Sequence, residues 1–162
     1  MTLCIGGIVL YSCTKTVTTN VPTEAQEIVI LNKYIAKYYP TVVPKTSGLY
    51  FIETKAAPDS ASTINSGDVV NVFYSGYLIE DNPTAGVRDG YQFDKSGSAP
   101  LTFTVGSGRV IQGLDEGVTY MKSGSEAKLI IPSILAYYYM SGYGMPAYST
   151  LVFYLKATKA TP

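Results

Sequence analysis

From Gly48 onward the apolar residues recur mostly at every second position, and that period of two constrains the fold more than any other feature of the chain. Leu49-Tyr50-Phe51-Ile52 reads as a first strand, followed by a Pro/Asp/Ser loop from Ala57 to Ser66. Next, Val70, Val72, Tyr74 and Leu78 share one strand face, with Val69, Phe73 and Tyr77 on the other. Leu101, Phe103 and Val105 alternate with threonines, and Ala127, Leu129 and Ile131 alternate with Lys128 and Ile130 until Pro132 stops the run. A last strand is expected over Thr150 to Ala157. Few of the connections have the chemistry of tight hairpins. The pattern predicts an α+β fold, an antiparallel β-layer with one short α-helix, rather than a sandwich.

That short helix lies where the period lengthens. Leu114, Val118 and Met121 fall at i, i+4 and i+7, so one apolar stripe can lie on the sheet. Asp115 and Glu116 suit the positive end of its dipole, and Gly124 suits its termination. A second helix precedes the sheet. Thr23-Glu24-Ala25-Gln26 fits a capping box, Ile28, Leu31, Ile35 and Tyr38 form an apolar stripe, and Pro40 ends the segment. A stripe this short lacks the sustained heptads of a coiled coil, which favours packing on the main domain over dimerisation.

Both cysteines, Cys4 and Cys13, lie at the amino end, leaving the body of the chain without a disulfide framework or thiolate metal site. Leu3 to Leu10 is apolar or glycine, too short for an ordinary transmembrane helix but suited to the core of an export signal. Leu10-Tyr11-Ser12-Cys13 resembles a bacterial lipobox, making Cys13 the expected lipidation site. The competing reading, an apolar terminus without that role, draws on the absence of Lys or Arg from Met1-Thr2-Leu3. Polar, β-branched Thr14 to Asn20 suits a tether. The expected organisation is a signal segment over 1–12, a tether over 13–22, a helix over 23–39 and a main domain over 40–162.

Composition excludes several kinds of chemistry. Histidine is absent from the 162 residues, which removes Ser-His-Asp and Cys-His catalysis and any His-ligated metal. Twelve basic and twelve acidic residues cancel, so no general field draws the chain to nucleic acid. No metal or cofactor is expected. Fifteen tyrosines supply rings that can line a groove while a hydroxyl stays in water.

Several stretches taken in order carry a family resemblance. They are Val72-Phe73-Tyr74-Ser75-Gly76-Tyr77-Leu78, Asp89-Gly90-Tyr91-Gln92-Phe93-Asp94-Lys95-Ser96, Pro100 to Gly106, Val110 to Gly117, Met121 to Gly124, and the closing Ile131-Pro132, Ala136-Tyr137 and Thr150 to Phe153. Each is weak alone; their shared order is specific. From about Gly48 to Ala157 the chain resembles the FK506-binding-protein family of peptidyl-prolyl isomerases. The resemblance implies a curved antiparallel β-sheet wrapped around the short helix, with a shallow apolar pocket between them. It places catalytic roles on Tyr74, Phe93, Asp94, Ile111 and Tyr137, and substrate contacts on Phe103, Val110, Leu114, Ala136, Met145 and Phe153. In the family the tyrosine at Tyr137 and the backbone N–H at Ile111 donate to ligand carbonyls. Expected partners are proline-containing unfolded or extended polypeptides and an FK506-like macrocycle, with the protein lipid-anchored in a bacterial envelope, facing the periplasm.

Three departures stand out. The pocket floor, typically tryptophan in the family, is Leu114, for which weaker catalysis is expected. Tyr138 replaces the glycine that usually follows the Tyr137 position, and the loop through Pro146 differs in length. Ile79 to Arg88 reads as an inserted loop marked by Asn82-Pro83 and Gly86. The alternative functions are a non-catalytic proline-binding or chaperone module, suggested by Leu114, and a structural surface lipoprotein.

Overall fold

The structure, a computed structural model, describes residues 22–142 and 144–160. The expected signal segment, Cys13 and nearly all of the tether lie outside the described residues. Its strands are β1 (Tyr50–Lys55), β2 (Val69–Asn82), β3 (Gly86–Lys95), β4 (Leu101–Thr104), β5 (Glu126–Ile131) and β6 (Leu151–Lys159). They form a single antiparallel, curved sheet in the order β1-β5-β6-β2-β3, with β4 also pairing to β2. Helix α1 spans Glu24–Tyr38, helix α2 spans Gln112–Val118, and a 3₁₀ turn spans Ser133–Leu135.

The period of two sorts the side chains onto two covered faces. Leu129, Ile131, Leu151 and Phe153 point to the α2 side, where they meet Leu114, Val118 and Met121. Ile130 and Val152, one residue out of phase, point to the other side and meet Leu31 and Tyr34 of α1. Both faces of β5 are therefore buried. Helix α2 lies so close to its face that a Cβ at Gly113 would overlap Ile131, and one at Gly117 would overlap Leu129. Its acidic start serves the preceding loop, because Asp115 accepts from the N–H groups of Gly106 at 2.7 Å and Gly108 at 3.2 Å.

Two expectations are corrected. First, α1 forms its capping box at Thr23 and Gln26, but its inward line is Glu27, Leu31 and Tyr34. Ile28 is 51% exposed and Tyr38 42% exposed. Apolar spacing misjudged the face because hydrogen bonding draws two polar residues inward. Glu27 bonds Ser133 and Thr150, while Tyr34 bonds Asp89 and the buried Lys128. Second, Ile79 to Arg88 is not a loop but the end of a hairpin. Asn82 pairs with Gly86, Asp81 with Val87, and Glu80 with Arg88 across the tip. The Asn82 side chain accepts from the N–H groups of Thr84 and Ala85, each at 2.9 Å, closing the turn. The segment's polar composition hid a strand pair, and its use lies in α1: Lys33 pairs with Asp81 at 2.6 Å, and Lys37 and Tyr38 donate to the Val87 carbonyl.

Candidate active site

On the α2 side, a groove of about 440 Å³ opens between the sheet and the loops that precede α2 and follow the 3₁₀ turn. Strand β2 supplies Tyr74, β3 supplies Phe93 and Asp94, and β6 supplies Phe153. Val110 and Ile111 come from the approach to α2, Leu114 from its first turn, and Ala136 and Tyr137 from the chain after the 3₁₀ turn.

Ring contacts set the groove's apolar wall. Phe153 stands between Phe93, edge-on at 5.6 Å and 82°, and Tyr74, tilted at 5.6 Å and 49°. Such pairs contribute about 0.5–1.5 kcal/mol each beyond the area they bury. The arrangement needs Gly76 on β2, where a Cβ would come within 2.7 Å of the Phe93 ring. Leu114, 3% exposed, belongs to both the groove and the core beneath it.

One polar edge faces this wall. The Tyr74 hydroxyl donates to Asp94 Oδ2 at 2.7 Å, and Asp94 Oδ1 accepts from the Lys95 N–H at 2.8 Å. Burial, and then the hydrogen bond to Asp94, push the Tyr74 hydroxyl up to about 12. It therefore remains a donor throughout the neutral range. The Ile111 N–H has no acceptor among the described residues and belongs to a groove-lining residue, while the Ile111 carbonyl opens α2 by accepting from Leu114 and Asp115. Among the described residues no cluster of three or more acidic, Cys or His side chains could hold a metal.

Of the expected site residues, the structure brings Tyr74, Phe93, Asp94, Val110, Ile111, Leu114, Ala136, Tyr137 and Phe153 around this one groove. Phe103 and Met145 are corrected. They are 3% and 7% exposed, lie in the same core and are not among the lining residues. Phe103 alternates inward on β4, and Met145 fills the core under its loop, so both contact neighbouring side chains rather than open space. Leu101, Gly108 and Arg109 also line the groove and were not anticipated. Each lies within or beside the matched stretches, which was the available signal.

Known proteins share this fold and much of its sequence. A family model described as FKBP-type peptidyl-prolyl cis-trans isomerase matches residues 60–157. FK506-binding protein 2 of Debaryomyces hansenii is 37% identical over 128 residues, covering 76% of this chain and 88% of that protein. An FK506-binding protein of Neisseria meningitidis serogroup C is 38% identical over 96 residues, covering 57% of this chain and 80% of that one. Among solved structures, FkpA from Escherichia coli superposes with a TM-score of 0.67 at 31% identity, covering 86% of this chain and 60% of FkpA. A peptidyl-prolyl cis-trans isomerase from Pseudomonas syringae gives 0.66 at 27% identity, covering 86% of this chain and 96% of that one. With an apolar ring-lined groove and matched sequence along most of the domain, the chain belongs to the FKBP-type peptidyl-prolyl cis-trans isomerase family.

Proposed function

We propose that the groove catalyses cis–trans isomerisation of X-Pro bonds in unfolded or extended protein segments by noncovalent stabilisation of the twisted amide. The barrier, about 18–20 kcal/mol, arises from amide resonance, so no nucleophile or proton relay is needed. Twisting the C–N bond removes charge separation from the amide, and a water-poor wall of Tyr74, Phe93 and Phe153 favours that less polar form over both planar ground states. The Ile111 N–H and the Tyr137 hydroxyl donate to substrate carbonyls and fix the proline ring against the wall. Asp94, holding the Tyr74 hydroxyl, orients the polar rim. The observation that carries this reading is a groove lined by the rings of Tyr74, Phe93 and Phe153 together with Ile111, whose N–H has no acceptor among the described residues.

Leu114 favours a second reading, a proline-binding module with little turnover, because a leucine gives the proline no flat ring to pack on. Leu114→Trp separates the two. An added aromatic contact is worth about 0.5–1.5 kcal/mol, roughly two- to tenfold in rate if it is made in the transition state. A rise of that size in kcat/KM, with FK506 inhibiting both forms, is the expected result. Negligible turnover in both forms despite FK506 binding supports the module, and absent FK506 binding contradicts a usable groove.

The same proposal places the protein in a bacterial envelope, anchored through a lipid on Cys13 and assisting the folding of exported proteins, for which X-Pro isomerisation is a slow step. The Leu10-Tyr11-Ser12-Cys13 sequence supports it. Among the described residues no helix is long and apolar enough to cross a membrane. Intact mass of protein recovered from native membranes should show a lipid-modified Cys13 terminus, and an unmodified Met1 terminus contradicts the anchor.

A further inference from the structure

Glu27 occupies the inward face of α1, 7% exposed, on the line of Leu31 and Tyr34 that packs against the sheet. Among the described residues it takes part in no ion pair. A buried carboxylate without a cation is costly unless hydrogen bonds satisfy it. Three do so: the Ser133 N–H donates at 2.6 Å, the Ser133 hydroxyl at 2.5 Å and the Thr150 hydroxyl at 2.7 Å. Ser133 and Thr150 stand at the two ends of one loop, the former opening the 3₁₀ turn after β5 and the latter directly preceding β6. One carboxylate thus closes the loop across its base.

That loop carries a groove wall. The Ser133 carbonyl accepts from the N–H groups of Ala136 and Tyr138, both at 2.8 Å, so the residue Glu27 holds also fixes the backbone on either side of Tyr137. The Tyr138 carbonyl accepts from the Tyr148 N–H at 2.8 Å, which carries the constraint to the far side of the loop. Glu24, one turn earlier on α1, accepts from the Tyr138 hydroxyl at 3.3 Å. The chain of contacts runs from α1 to Ser133 and from Ser133 to both neighbours of Tyr137.

We propose that Glu27 is a positioning residue for the isomerase site, its carboxylate clamping both ends of the 133–150 loop so that Tyr137 is held at the groove. The inference rests on the isomerase reading of that groove and adds the outer helix to the machinery. Charge matters here. The carboxylate serves three donors, two on Oε1 and one on Oε2, whereas a glutamine amide keeps one acceptor oxygen and turns an N–H₂ toward at least one of them.

The test compares Glu27→Ala, Glu27→Gln and Leu31→Ala in the full chain. Leu31→Ala loosens the same helix from the sheet without touching Ser133 or Thr150. Catalysis by cis–trans exchange and backbone amide resonances are read below each variant's unfolding temperature. Glu27→Ala should lower kcat/KM about tenfold or more, since small misplacements of positioned groups cost that much. Glu27→Gln should fall between it and the wild type. The Ala136 and Tyr138 amide resonances should move in both Glu27 variants and stay in place in Leu31→Ala. Equal losses in Glu27→Gln and Leu31→Ala, or unmoved Ala136 and Tyr138 resonances in the Glu27 variants, overturn the proposal. Should Glu27→Ala not fold, Glu27→Gln decides. A wild type without turnover sinks the isomerase reading, and the resonances then still report whether the clamp exists.

Discussion

Tyr138 has a φ of 51°, in the left-handed region that costs a residue bearing a Cβ roughly 1–2 kcal/mol. The resemblance marks this as a glycine position, and the backbone here has a conformation glycine favours even though the side chain is large. Its ring meets Tyr139 at 5.5 Å and Tyr148 at 5.4 Å, contacts that offset the strain. Removing the ring should therefore expose the strain. Tyr138→Ala is expected to be less stable than Tyr138→Gly by about 1 kcal/mol, read from denaturant midpoints, because only glycine takes this φ freely. Equal midpoints contradict a strained backbone. The departure from glycine was visible in the sequence; the left-handed backbone was not, since a single residue type does not report the turn it is forced into. Leu114 is the opposite case. Its place on the floor and its lack of a flat ring were both readable from the matched stretch around it.

Among the elements, α1 shows most clearly where sequence reading ended. Its capping box and length were legible from Thr23, Gln26 and Pro40, but its inward face was not, because Glu27 and Tyr34 are recruited by partners far along the chain. Beneath it, Lys128 lies buried between Tyr34 at 2.6 Å and Tyr154 at 2.7 Å, with Asp89 at 3.2 Å. Burial, aided by the hydrogen bond to Asp89, holds the Tyr34 hydroxyl well above the usual phenol range. Burial works against the Lys128 charge, but hydrogen bonds to Tyr154, Tyr34 and Tyr39 outweigh it and lift the ammonium above its ordinary value. Both groups keep their protons in the folded chain at a pH where the unfolded chain loses them. Their contribution is thus complete below about pH 10 and is lost as pH rises through the folded values. Tyr34→Phe should cost about 1–3 kcal/mol at pH 7, where it leaves Asp89 and Lys128 each short of a partner. The gap to wild type should narrow above pH 10. Denaturant midpoints measured against pH check this, and a constant gap contradicts it.

At the scale of the whole molecule, the sheet was legible because its period of two is written in apolar residues, as at Leu129 to Ile131 and Leu151 to Phe153. The β2–β3 hairpin tip was not, because Glu80, Asp81, Arg88 and Asp89 alternate without that contrast. Most of the groove is built from residues the family resemblance named, since it lies where β2, β3, β6 and the start of α2 converge. Phe103 and Met145 were misplaced because a core side chain and a groove side chain differ only by which neighbours close over them. The two helices divide the labour of the fold: α2 backs the groove, and α1 covers the opposite face while reaching around to the loop that carries Tyr137. The most direct measurement is cis–trans exchange of X-Pro peptides by NMR, with the chain from Thr23 onward and its Phe93→Ala and Tyr137→Phe variants. Faster exchange with the wild type, falling at least about tenfold in the variants, is the predicted result. Exchange no faster than in peptide alone, with peptide bound at Phe93 and Tyr137, contradicts catalysis by this groove.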